Sequence, residues 1–154
     1  GDGFIDARKC VSYLTIEFHG AFTDEESLSV GGRVYGCDEC LLACPWNRRR
    51  RAGSFDSDFT ERGALLNLTL RDKLMLSEDD FLRLTEGSAI RRIGYLQWLR
   101  NTACALGNLS SDTDDIPLLE SRSGLSEPLD AEIRRAAAKI TLRAGARDKT
   151  SRTL

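Results

Sequence analysis

Three cysteines packed into Cys37–Cys44 constrain this chain more than any other feature. They stand in Tyr35-Gly-Cys37-Asp-Glu-Cys40-Leu-Leu-Ala-Cys44-Pro-Trp-Asn47, a C-x2-C-x3-C-P spacing. Two residues between Cys37 and Cys40 let one tight backbone turn present both sulfurs to the same body. Pro45 then fixes φ and removes a donor, so the chain leaves in a defined direction. Thiolates grouped this way are ligands for soft metal centres. The chain has five cysteines, an odd number in a ligand pattern, which fits a reducing cytosol better than a secreted disulfide framework.

The spacing matches the closing part of the cysteine run that holds a [4Fe–4S] cluster in bacterial-type ferredoxins. That run normally opens with a cysteine three residues earlier, where this sequence has Val34. Cys10 is the candidate for the missing ligand, giving C-x26-C-x2-C-x3-C-P and the metal set Cys10, Cys37, Cys40 and Cys44. A four-thiolate zinc site is the rival, because C-x2-C knuckles also build zinc ribbons. Zinc sites generally pair two knuckles, and this chain has one knuckle plus a lone cysteine. Plain buried or disulfide-bonded cysteines remain a third reading.

The chain has 154 residues, 41% of them hydrophobic and 30% charged, the balance of an ordinary globular protein. A formal net charge of −2 gives no global pull toward nucleic acid, so any such pull must come from local arginine clusters. No run approaches the ~18 apolar residues of a membrane span. The opening Gly1-Asp2-Gly3-Phe4-Ile5 reads as the middle of a domain, which predicts a fragment.

Asp6 to Phe18 predicts one short helix, with Asp6 as N-cap, Cys10 in its second turn and Gly20 as a left-handed C-cap. His19, the sole histidine, reads as a surface residue at the helix end. Thr23-Asp24-Glu25-Glu26 has capping-box character and predicts a helix through Leu28. Gly31-Gly32 marks a turn. Arg33, just ahead of the knuckle, is either a solvated loop charge or a cation near cluster or phosphate.

Asn47 is followed by Arg48-Arg49-Arg50-Arg51, either a phosphate-holding patch or a solvated connector. Gly53-Ser54 and Asp56-Ser57-Asp58 favour a linker, with a module boundary between Arg51 and Phe59. The remainder predicts helices. Leu65 to Leu70 is a short helix or buried arm, and Ser77 caps a helix carrying Phe81, Leu82 and Leu84. Ala89 to Leu106 is the longest helical signal. Its core face comprises Ile90, Ile93, either Leu96 or Trp98, Leu99, Ala103 and Leu106, and Gly107-Asn108 ends it. Ile116 to Glu120 and Leu129 to Ala144 complete the set, and the tail from Gly145 reads as frayed.

Leu99 to Leu106 is echoed by Ile133 to Ile140 after 34 residues, which suggests stacked helical pairs of the HEAT type. Cys104 falls on the apolar side of its helix and reads as packing. Arg91, Arg92 and Arg100, with Arg134 and Arg135 in the echo, form either a stripe for a nucleic-acid backbone or a solvated face. The expected fold class is mainly α. An iron–sulfur, bacterial ferredoxin-like segment spans residues 1–52, followed by HEAT-like helical repeats over 53–154.

Three blocks together resemble the C-terminal half of the epoxyqueuosine reductase family. They are Asp6-Ala-Arg-Lys-Cys10-Val-Ser-Tyr-Leu-Thr-Ile-Glu17, Arg33-Val-Tyr-Gly-Cys37-Asp-Glu-Cys40, and Cys44-Pro-Trp-Asn47. Gly87-Ser-Ala-Ile-Arg-Arg92, Trp98-Leu-Arg-Asn101 and Ala105-Leu-Gly-Asn108 extend the likeness, which weakens after about Asp112.

The resemblance implies a cytoplasmic, monomeric oxidoreductase. Such an enzyme uses cobalamin and two [4Fe–4S] clusters to convert epoxyqueuosine to queuosine in tRNA. It implies that Cys10, Cys37 and Cys40 serve one cluster and that Cys44 reaches the other. It places Glu17, Cys37 and Asp38 near the corrinoid, and makes Arg91, Arg92, Arg100 and Asn101 the tRNA-binding residues. The family's first cysteine block, cobalamin domain and acidic proton donor would precede Gly1, so the chain alone is expected to be inactive. Two other readings stay open: a single-cluster electron-transfer module, and a zinc-stabilised helical scaffold for protein partners.

Overall fold

The structure is a computed structural model that describes Phe4 and residues 6–47 and 63–151. It is mainly helical, and no strand occurs among the described residues. The arginine run Arg48–Arg51, the linker and the boundary near Phe59 lie outside those residues. Among the described residues, no helix is long and apolar enough to cross a membrane.

The first predicted helix is two pieces. Asp6 accepts from the Arg8 N–H and caps a 3-10 turn over Ala7–Lys9, but Cys10 is extended, with φ −72 and ψ 126. Helix α1 is therefore only Val11–Ile16, with Cys10 as its N-cap rather than in its second turn. Gly20 does not take the left-handed conformation expected of it. The α2 helix, Asp24–Val30, starts on the capping box that the sequence announces, Thr23 with Glu26. Helix α3, Glu39–Ala43, is short and was not expected; it separates Cys37 from Cys44.

Beyond residue 62 come a 3-10 turn over Ala64–Asn67 and helices α4, Leu70–Met75, and α5, Glu78–Leu84. A reciprocal Thr69–Asp72 capping box starts α4, and Ser77 caps α5 as expected. The long predicted helix breaks at Gly94, whose φ of 75 suits glycine alone. Ala89–Ile93 becomes a 3-10 turn and α6 runs Tyr95–Leu109. Helices α7, Asp115–Glu120, and α8, Glu127–Ser151, complete the order.

Helix α6 is the axis of the molecule. Every residue from Gln97 to Gly107 is buried. One side joins the main core: Trp98, Leu99, Ala103 and Leu106 meet Leu74 of α4, Phe81 of α5, Leu119 of α7, and Leu129, Ile133 and Ile140 of α8. Of the two alternatives for the core face, Trp98 is buried and Leu96 is exposed. The Trp98 indole donates to the Lys73 carbonyl at 3.0 Å, which satisfies its buried N–H.

The partner with the largest contact is α8. It comes so close that a Cβ on Gly107 would lie 2.5 Å from the Ala136 Cβ. Gly107 therefore does not end α6, as its type suggested; it admits the neighbouring helix. On the other side of α6 a second core gathers Leu14, Phe22, Val30 and Cys104.

Arg100 and Asn101 correct the expected surface stripe. Both are buried and turned toward the cysteine-bearing half of the chain. Arg135 also faces inward, donating to the Phe22 carbonyl at 2.7 Å and pairing with Asp24 and Glu132. Only Arg91, Arg92 and Arg134 of the proposed stripe are exposed.

Candidate metal centre

Short elements have many unpaired backbone groups, and the candidate centre stands on three of them. The last carbonyls of α1 have no helical partners of their own. A polar ridge of α6 supplies them. Gln97 Nε2 donates to the Thr15 and Ile16 carbonyls at 3.0 and 2.9 Å. Arg100 donates to the Leu14, Phe18 and Gly20 carbonyls at 2.9, 2.6 and 2.7 Å.

Asn101 Nδ2 donates to the Thr15 and Val34 carbonyls at 2.8 and 2.9 Å. Further along the same ridge, Asn108 donates to the Ser27 and Gly31 carbonyls and closes the end of α2. The segment bearing Cys10 and the segment leading to Cys37 are thus tied to one rigid helix.

Among the described residues, no carboxylate lies within hydrogen-bond reach of Arg100. Its charge is met by carbonyl oxygens at the negative end of α1 and by the faces of Phe18 and Phe22, 5.8 and 4.2 Å from the guanidinium carbon. Burial pulls its pKa down to about 10, which still leaves it charged at neutral pH.

The four candidate ligands are free thiols, with Cys10, Cys37 and Cys44 half-buried and Cys40 exposed. Cys10 is the N-cap of α1, Cys40 sits in α3 and Cys44 is its C-cap. Asn47 folds back to donate to the Leu41 carbonyl at 2.8 Å, which closes the turn after Cys44-Pro45. Among the described residues, no three His, Cys, Asp or Glu side chains lie close enough together to hold one metal ion. Cys10 and the knuckle therefore do not make a single-ion site among the described residues. The donor chemistry nonetheless fits a [4Fe–4S] cluster: unbridged soft thiols, accessible from outside, at ferredoxin spacing.

The other residues singled out from sequence divide. Asp38 is exposed as the N-cap residue of α3, and its side chain makes no capping bond. Glu17 is exposed and pairs with Arg92. Arg33 pairs with Glu39 beside Cys40 and so has a carboxylate partner already. His19 is exposed, as expected. Cys104 is buried against Ser27, 3.3 Å away, and burial pushes its thiol up to about 11, which suits packing and not ligation.

Sequence reasoning missed the ridge of Gln97, Arg100, Asn101 and Asn108. A signal was present: apart from Arg100, no charged residue occurs between Arg92 and Asp112. A helix with no solvated face is buried all round, and so is its one charge.

Comparison with known proteins agrees with this donor chemistry. Residues 2–47 match the family described as a 4Fe-4S double cluster binding domain. The epoxyqueuosine reductase of Salmonella typhimurium is 50% identical over 135 residues, 88% of this chain and 35% of that protein. That of Escherichia coli is 49% identical over the same length.

The chain is a homologue of the epoxyqueuosine reductases.

It spans about a third of the length of the curated relatives it matches. Two solved epoxyqueuosine reductases share its fold. The Bacillus subtilis enzyme superposes with a TM-score of 0.70 at 24% identity, covering 90% of this chain and 37% of that one. A second, crystallised with an epoxyqueuosine-modified tRNA-Tyr stem loop, gives 0.64 at 20% identity, covering 90% and 45%.

Proposed function

We propose that this chain is the cluster-bearing C-terminal part of a reductase that converts epoxyqueuosine to queuosine in tRNA. The observation that carries the reading is that half-identity to epoxyqueuosine reductases extends over 88% of the chain, beyond the cysteine segment and into the helices. Residues 1–52 form the iron–sulfur segment and 53–154 the helical domain, built on HEAT-like pairing of α6 with α8.

Cys10, Cys37 and Cys40 hold one [4Fe–4S] cluster and Cys44 contributes to a second. When bound, the clusters supply single electrons and cobalamin supplies the reductive chemistry at the epoxide. Glu17, Cys37 and Asp38 line the corrinoid side. Phe4, Leu41, Leu42 and Trp46, all more than half exposed in the segment that carries the cysteines, face the remainder of the larger protein. Alone, the chain has no reductase activity.

The tRNA-facing residues on this reading are Arg91 and Arg92, exposed on the turn before α6, with Arg92 aligned by Glu17. Arg100 and Asn101 hold the cysteine half in place and do not touch RNA. Anaerobic reconstitution with iron and sulfide, followed by tRNA titration at several salt concentrations, tests the proposal. Equimolar iron and sulfide with salt-dependent binding supports it; bound zinc with no iron, or no affinity for tRNA, contradicts it.

A further inference from the structure

Cys10 and Cys37 are separated by 26 residues, yet a cluster needs them in one fixed frame. The backbone between them offers no direct tie, because α2 and the glycine turn intervene. The side chain of Thr15 makes the connection. Its Oγ1 accepts the N–H of Gly36, immediately before Cys37, at 3.0 Å, and donates to the Val11 carbonyl at 2.8 Å, immediately after Cys10. Its carbonyl is held by Asn101, whose other amide hydrogen holds the Val34 carbonyl.

Asn101 is fully used: its Oδ1 accepts from Arg100 Nε and Nη2 at 3.2 and 2.9 Å. Thr15 and Asn101 are both completely buried, so water cannot substitute for either. A buried, saturated set of hydrogen bonds holds its partners in one arrangement.

We propose that Thr15 and Asn101 are positioning residues that set the Cys10 arm against the Cys37 arm, and so determine how firmly a cluster is held and at what potential. This rests on the reading of Cys10 and Cys37 as ligands of one cluster. Neither residue touches the cluster. They act by fixing the backbone that carries the thiolates, as hydrogen-bonded outer groups do around other metal ligands.

Thr15→Val keeps the shape and removes the acceptor for Gly36, whereas Thr15→Ser keeps the acceptor. The readouts are amide exchange at Gly36 and Cys37 without metal, and iron release to a chelator and the cluster's electron paramagnetic resonance spectrum and potential after anaerobic reconstitution. Thr15→Val should exchange at Gly36 and release iron about tenfold faster, as loss of a buried hydrogen-bond partner implies. Its spectrum and potential should shift, while Thr15→Ser stays at the parent values. If Thr15→Val does not fold, Thr15→Ala and Asn101→Ala, checked by circular dichroism, replace it with the same expected outcome.

A folded variant with parent exchange, release and potential overturns the bracket while leaving the ligand assignment intact. A parent chain that takes up no iron overturns the ligand assignment, and the inference falls with it.

Discussion

The guanidinium carbon of Arg100 stands 4.2 Å from the centroid of the Phe22 ring, and three carbonyls of the cysteine half close around its edge. A charge normally found in solvent has become the joint between the two halves of the molecule. Arg100→Ala leaves those carbonyls and Asn101 Oδ1 without donors and opens a cavity. It should cost about 3 kcal/mol or more in urea unfolding. Arg100→Lys should recover little, because an ammonium cannot reproduce the planar fork or the ring contact.

Gly107 gives a second test of the α6–α8 contact. Alanine is the better helix former, so propensity alone predicts stabilisation by Gly107→Ala. The Ala136 Cα and Cβ, 2.6 and 2.5 Å from the added methyl, predict the opposite. Thermal unfolding should show a loss of about 1–3 kcal/mol, the usual cost of overpacking.

Much of the local structure was legible because it depends on neighbours in sequence. Thr23 and Glu26 announce α2, and Ser77 announces α5. The less legible parts depend on distant partners. Cys10 interrupts a good helical pattern because its carbonyl must start α1 after the turn capped by Asp6. Gly94 looks like a tolerated glycine until its positive φ is seen. Arg100 and Asn101 look like a nucleic-acid stripe because nothing local reveals that their partners lie more than sixty residues upstream. Absence of other charge along α6 was the available clue. The Thr69–Asp72 box of α4 is an equally local signal.

Glu132 makes stability depend on pH. It is fully buried beside Arg135, with Lys139 and Arg100 nearby, yet burial outweighs these cations and raises its carboxyl above the ordinary 4.5. A folded-state value above the unfolded one means that the stability contribution is complete below 4.5 and is lost as pH rises through the folded value. Urea midpoints from pH 4.5 to 8 should show the parent losing ground to Glu132→Gln as pH rises. A constant difference would show that the carboxyl does not titrate in that window.

Of Arg91, Arg92, Arg100 and Asn101, the four residues expected to meet tRNA, Arg91 and Arg92 are the two that are exposed. The double change to alanine should weaken tRNA binding and reduce the slope of log affinity against log salt by about one per lost phosphate contact. Helical content should be unchanged, because neither side chain is buried. An unchanged slope removes this turn from the interface.

The central claim is that Cys10, Cys37, Cys40 and Cys44 bind iron–sulfur clusters while Cys104 packs the core. Iron, sulfide and zinc content after anaerobic reconstitution, compared across single cysteine variants, tests it most directly. The expected result is iron and sulfide in equal amounts in the parent and in Cys104→Ala, with both lost or sharply reduced in Cys10→Ser and Cys37→Ser. Zinc in place of iron, or iron uptake indifferent to Cys10 and Cys37, would contradict it.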